Sequence, residues 1–137
     1  MNETVKIVLE VLAWLLAGFL AFSFYKAGSF KLTAPIEKLV EAGMGWVTKI
    51  PAWLVRVVAL LELLGALGII LAPAAVEFLG FAWAAGWAIA AAAGLSLTMM
   101  VAISMHQARK ELKYTWKANL GLLIPSLALV LIYAAVL

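Results

Sequence analysis

Arg56 to Pro73 reads RVVALLELLGALGIILAP, and one acidic residue, Glu62, stands near its centre. The apolar run around it extends from about Ala52 to Ala72, with Leu60, Leu61, Leu63 and Leu64 beside the carboxyl. About 20 apolar residues is the length at which a helix crosses hydrocarbon. An Asp at the middle of such a span costs roughly 2.5–3.5 kcal/mol on insertion scales, so an acidic side chain there faces other helices and marks a functional position. On a helix, Val55, Ala59, Glu62, Gly65, Ala66 and Ile69 share one face. The carboxyl therefore sits on a strip of small residues that points inward. This stretch predicts a membrane helix within a bundle.

The rest of the chain agrees. Of 137 residues, 67% are hydrophobic and 12% charged, whereas a soluble domain is about half apolar and about a quarter charged. A water-soluble fold of this size has no room to hide so much apolar surface. Four spans are expected in one transmembrane domain, at about 5–25, 52–72, 77–106 and 118–137. Pro73 is expected to end the second, because proline lacks the N–H that continues a helix. Pro125 is expected to kink the fourth. A short turn at 72–76 makes the second and third spans an antiparallel hairpin.

Two functional classes are excluded by composition. The chain has no cysteine, which removes disulfides, thiol nucleophiles and thiolate metal sites, dithiol-relay enzymes included. The net charge of +3 carries no nucleic-acid meaning, since the basic residues gather at span ends. The N-terminus, Met1–Lys6, lacks a basic cluster, and the apolar run after it is longer than a signal-peptide core. It is read as a retained span.

The two longer connections carry most of the charge. Lys26, Lys31, Lys38 and Lys49 lie in 26–51, and Arg109, Lys110, Lys113 and Lys117 in 106–117. Four spans place both connections on one side, opposite Lys6 alone. Positive-inside bias makes them cytoplasmic and both termini external, in a bacterial or archaeal cytoplasmic membrane. Within the first connection, Ile36, Leu39, Val40 and Met44 share a face. An amphipathic helix over Pro35–Val47 is expected, lying at the interface or folding back on the bundle. Rows of small residues at four-residue spacing, Ala13-Ala17-Ala21 and Gly86-Ala90-Gly94-Thr98, are expected to let helices approach closely.

Several segments, in order, resemble the DoxX-like family of small four-helix integral membrane proteins. Ala27-Gly28-Ser29-Phe30-Lys31-Leu32 is similar to that family's A-G-x-x-K-L signature. Arg56 through Glu62-Leu63-Leu64-Gly65 to Pro73 looks like its second-helix pattern. Ala102–His106 and the basic, Glu-containing turn through Glu111 follow the same way. The resemblance implies the fold and a polar centre rather than a reaction. Some relatives look like parts of quinone-linked sulfur-oxidising enzymes, others are associated with redox defence, and distant eukaryotic relatives help assemble membrane receptors.

Four residues make up the expected polar pocket: Glu62, Lys31, Arg56 and His106. Glu62 is either a functional acid or a structural carboxyl that hydrogen-bonds across helices. Lys31, the family's lysine by resemblance, is its preferred partner if the chain after Tyr25 dips back into the bundle; otherwise it is an ordinary interfacial lysine. Arg56 is six residues before Glu62, about 240° around a helix and about 9 Å along it, so it serves lipid phosphate or a neighbouring helix end. His106 is the only histidine; it is either a proton relay or an interfacial cap, and no metal or haem site is expected. Glu10 is expected to snorkel, and the tryptophans to form interfacial belts.

The leading functional expectation is a non-catalytic accessory subunit that holds a quinone, a lipid or a partner's segment, in contact with the bilayer and other membrane subunits. The alternative is a membrane subunit of a quinone-linked oxidoreductase, with Glu62 and His106 handling protons. A small proton-coupled exporter is a third reading, weakened because Glu10 lies near a boundary and 26–51 is long.

Overall fold

Four long helices carry the fold in the computed structural model, which describes residues 1–137. They are α1 (Glu3–Thr33), α3 (Ala52–Leu79), α4 (Ala84–Ala108) and α5 (Leu112–Val136), with a short α2 (Ile36–Glu41) and a 3₁₀ turn (Gly45–Lys49) between the first two. Each long helix is apolar enough to cross a membrane. Around the bundle, α1 and α4 each pack against both α3 and α5.

The packing uses more small residues and exposes more large apolar ones than a soluble bundle does. The interior combines small residues, among them Ala13, Ala17, Ala66, Ala72, Ala88 and Ala92, with large ones such as Leu20, Phe24, Ile69 and Leu129. Large side chains such as Leu15, Phe22, Leu61, Leu67 and Leu131 point outward. Lipid tails are as apolar as leucine, so helices associate by close backbone approach rather than by hiding leucines from water.

Three boundaries differ from expectation. First, α1 runs on to Thr33 rather than stopping at Tyr25. Ala34 precedes Pro35, and the proline ring disfavours helical backbone there; Ala34 is extended, at φ −72°, ψ 146°. Second, Pro73 lies inside α3, which continues to Leu79 and ends at Gly80 in the left-handed region, φ 71°. Proline cannot donate to the carbonyl four residues back, which is that of Ile69. The Tyr133 hydroxyl of α5 donates to that oxygen at 2.6 Å, so the helix passes the proline with its acceptor satisfied. The turn between α3 and α4 moves accordingly to 80–83. Third, α5 begins at Leu112 rather than near Ala118.

The connection over 34–50 folds back on the bundle as a cap. The helix expected over Pro35–Val47 breaks at Gly43, φ 94°, leaving α2 and the 3₁₀ turn. Leu39, Val47 and Val55 form a small core beneath it, flanked by Ile36, Met44 and Trp46, while Val40 is exposed.

Only one of the two expected small-residue rows packs within the chain. Ala13 and Ala17 are buried, but the buried row of α4 is Ala84, Ala88, Ala92 and Ser96. A Cβ on Gly86 or Gly94 would meet nothing within 4 Å. Alanine-rich α4 offers small residues on several faces, and the positions of α3 and α5 decide which is used.

Candidate functional site

The polar centre begins with the length of α1. Because the helix carries on past Tyr25, Lys31 is held on it within reach of α3. Gly28, three residues earlier, shares its face and brings the two helices together. A Cβ there would lie 3.0 Å from Leu63 Cγ and 3.1 Å from the Ala59 carbonyl. With that approach made, Lys31 Nζ donates to Glu62 Oε1 at 2.6 Å. The Glu62 side chain is 2% exposed and that of Lys31 12%. The face Val55, Ala59, Glu62, Ala66 and Ile69 is buried as the spacing requires.

Arg56 supports this pair from outside. Its Nη1 donates to the Lys31 carbonyl at 2.6 Å. That oxygen is among the last four of α1, which have no partner within the helix. Arg56 thus serves a neighbouring helix end and fixes the residue whose side chain meets Glu62. The Trp46 ring of the cap lies 6.0 Å from Lys31 Nζ, a cation–π distance.

One feature of the pair stands out chemically. Glu62 Oε2 is buried and has no hydrogen-bond partner. The ammonium has three N–H groups, of which one is committed to Glu62. The centre therefore offers a spare acceptor and spare donors side by side, with no net charge.

His106 belongs to a different cluster. Its Nδ1 is 3.2 Å from Glu111 Oε1, and Arg109 Nε donates to the same oxygen at 2.7 Å. The hydrogen bond from Arg109 is the main influence holding the Glu111 carboxyl below its ordinary value of 4.5; partial burial opposes it and His106 adds to it. No hydrogen bond or ion pair joins His106 to Glu62. The cap touches this cluster, since a Cβ on Gly45 would lie 2.8 Å from Arg109 Nη2. Both basic connections thus meet at one end of the bundle.

Hydrogen bonding thus gathers Lys31, Glu62 and Arg56 into one group and His106 into another. Two open grooves lie on the outer faces of the bundle. One, of about 430 Å³ between α1 and α3, is lined by eight apolar residues that include Tyr25, Leu63, Ala66 and Ile70. The other, of about 420 Å³ between α3 and α4, includes Gly65, Trp87, Gly94 and Thr98. None of Glu62, Lys31, Arg56 or His106 lines either groove.

A model of the DoxX-like family matches residues 15–136. The chain belongs to the DoxX-like family. No curated protein and no solved structure matches it. Four apolar helices and this membership make it an integral membrane protein. In this DoxX-like chain the A-G-x-x-K-L segment has a physical reading. The glycine permits the contact of α1 with α3, and the lysine three residues on uses it.

Three contributions are not legible in residue order alone. Trp46 lies beside Lys31. Tyr133 answers the mid-helix proline, which demands a donor from elsewhere, and it is one of few hydroxyls on α5. At the other end of the bundle, Trp14 Nε1 donates to Glu77 Oε2 at 3.0 Å, and Trp14 stacks on Phe78 with centroids 6.2 Å apart. Glu10 is 3.9 Å from Lys6 at that end.

Proposed function

We propose that this protein is a non-catalytic member of a membrane assembly, whose bundle holds a small amphiphile at the Lys31–Glu62 centre. The observation that carries this reading is the unmatched Glu62 Oε2. A buried polar atom without a partner costs stability, and it is retained here beside a cation on the face that joins α1 to α3. The apolar groove between those helices is of a size that suits small-molecule sites. A lipid or a quinone fits such a groove by its tail.

The reading includes an orientation. The cap and the turn at 106–117 face the cytoplasm, where positive charge is retained, and the cap lies at that interface with both termini outside. The chain has no cysteine, so single replacements report cleanly. Lys38→Cys and Lys113→Cys should resist an impermeant thiol reagent in intact cells and react after lysis. Labelling of either from outside reverses the orientation.

Binding is tested by purifying the protein in lipid nanodiscs and extracting what travels with it. A defined amphiphile, near one per chain, should accompany the natural protein and be depleted from Glu62→Leu. Identical extracts from both would remove the function. Co-purifying polypeptides retained under gentle extraction would identify the assembly. Their absence would leave the protein working alone and reject the accessory role.

A further inference from the structure

The hydrogen-bonding inventory of the centre narrows what it can hold. Glu62 Oε2 accepts and has nothing to accept from. Lys31 Nζ donates to Glu62 Oε1 and makes no other hydrogen bond to the protein. The pair is neutral overall. A head group that fits must therefore supply one donor and one acceptor on adjacent lone-pair and N–H directions, and carry no charge of its own.

Four kinds of head group separate on this criterion. A carboxylate or phosphate satisfies Lys31 but places like charge beside the free oxygen of Glu62. An ammonium satisfies Glu62 but meets the Lys31 cation. A ketone, ester or quinone carbonyl accepts from Lys31 and leaves Oε2 as it was. A hydroxyl both donates and accepts through one atom. We propose that the Lys31–Glu62 centre binds the hydroxyl of an uncharged alcohol or phenol amphiphile, which donates to Glu62 Oε2 and accepts from Lys31 Nζ. This rests on the reading of the centre as an amphiphile site and specifies its ligand.

The tail has a place. Ala66, one turn from Glu62, lines the groove between α1 and α3, as do Tyr25 and Leu63. Leu63 follows Glu62 in sequence, lines the groove, and lies over Gly28, where an added Cβ would meet its Cγ and Cδ2. Because Glu62 is sealed, at 2% exposed, side chains must move for the head to reach Oε2, and Leu63, next to Glu62 in the chain and on the wall of the groove, is the one assigned that movement.

The test uses two ligands that differ by one proton donor. The full chain in phosphatidylcholine nanodiscs at pH 7 is titrated with 4-dodecylphenol and with its methyl ether. The phenol is neutral at this pH, as a phenolic pKa is about 10. The phenol should bind saturably at one site per chain, and the ether at least about tenfold more weakly, the scale of one charge-assisted hydrogen bond. In Glu62→Leu the two should bind alike. Equal affinities for the natural protein overturn the hydroxyl assignment while leaving an amphiphile site in place. Tighter binding of 4-dodecylbenzoate than of the phenol also overturns it. No saturable binding of any of the three overturns both the assignment and the site. The two-ligand comparison on the natural protein decides the matter even if Glu62→Leu fails to fold.

Discussion

Glu62 and Glu111 sit toward the same end of the bundle and meet cations at nearly equal distances, 2.6 Å from Lys31 and 2.7 Å from Arg109. The surroundings differ. Glu62 is 2% exposed, with one oxygen unmatched; Glu111 is 25% exposed, and one of its oxygens serves both Arg109 and His106. Distance alone does not set what an ion pair is worth. In a low-dielectric interior the loss of one partner strands a charge, whereas near water the solvent takes the partner's place. The buried pair is thus the sensitive part of the molecule, and the exposed cluster a tolerant one.

That contrast breaks most readily at Lys31. Lys31→Met should destabilise the protein by about 3–5 kcal/mol, the scale for breaking a buried pair, as read by thermal unfolding in detergent. Arg109→Met should cost much less. A second change, Glu62→Gln, should recover part of the loss by removing the stranded charge. Similar unfolding temperatures for Lys31→Met and Arg109→Met would erase the distinction between the two sites.

A smaller effect is expected at Gly28. Gly28→Ala places a methyl 3.0 Å from Leu63 Cγ and 3.1 Å from a backbone oxygen, so the Leu63 side chain or the approach of α1 to α3 must give slightly. Overpacking of this kind costs about 1–3 kcal/mol, and it should loosen Lys31 from Glu62 as well. Gly94→Ala, with open space around the new methyl, is the matched control and should not destabilise. If both substitutions behave alike, close approach at Gly28 is not what seats Lys31.

Next in size is the hydroxyl contact to α3. Tyr133→Phe should cost about 0.6–1.7 kcal/mol, the range measured for hydrogen bonds between membrane helices. The cost should shrink in a Pro73→Ala background, where Ile69 regains an N–H donor from its own helix. A cost that stays the same in both backgrounds would show that the tyrosine does not answer the proline.

The gentlest perturbation is acid. Glu111 is held below 4.5 in the folded protein, first by its bond from Arg109. A lowered carboxyl contributes stability above its unfolded value and loses it as pH falls through the folded one. Acidification below about 4.5 should therefore weaken the 106–111 turn. Amide exchange at Arg109–Leu112 in the natural protein, compared with Glu111→Gln, reads this directly. Only the natural protein should change with pH there, and an acid response retained by Glu111→Gln would assign it to another group.

Much of this arrangement could be read from residue order. The spans and the inward face of α3 follow from hydropathy, helical period and the cost of an isolated carboxyl in hydrocarbon, whereas the Lys31–Glu62 pairing rests on the family resemblance and stands in the sequence beside an ordinary interfacial lysine. What escaped were features that depend on a second helix. Pro73 read locally is a stop, and it becomes a helix interior only because Tyr133 supplies a donor from far along the chain. Tyr25 read as a span end because lysines follow it, yet Gly28 and the contact with Leu63 carry α1 further. Gly86 and Gly94 looked like packing positions because spacing alone does not say which face of α4 its neighbours occupy. His106 shared a side of the membrane with Lys31, and sequence offered no means of seeing that Glu111 would claim it first.

The bond from Tyr133 to the Ile69 carbonyl also orders events during biosynthesis. Ile69 leaves the ribosome well before Tyr133, and until the final helix arrives its oxygen has no donor within its own segment. α3 on its own therefore carries one carbonyl, next to Pro73, that its own helix leaves unpaired. Docking of α5 supplies the missing donor, so α3 completes its hydrogen bonding only with α5 beside it.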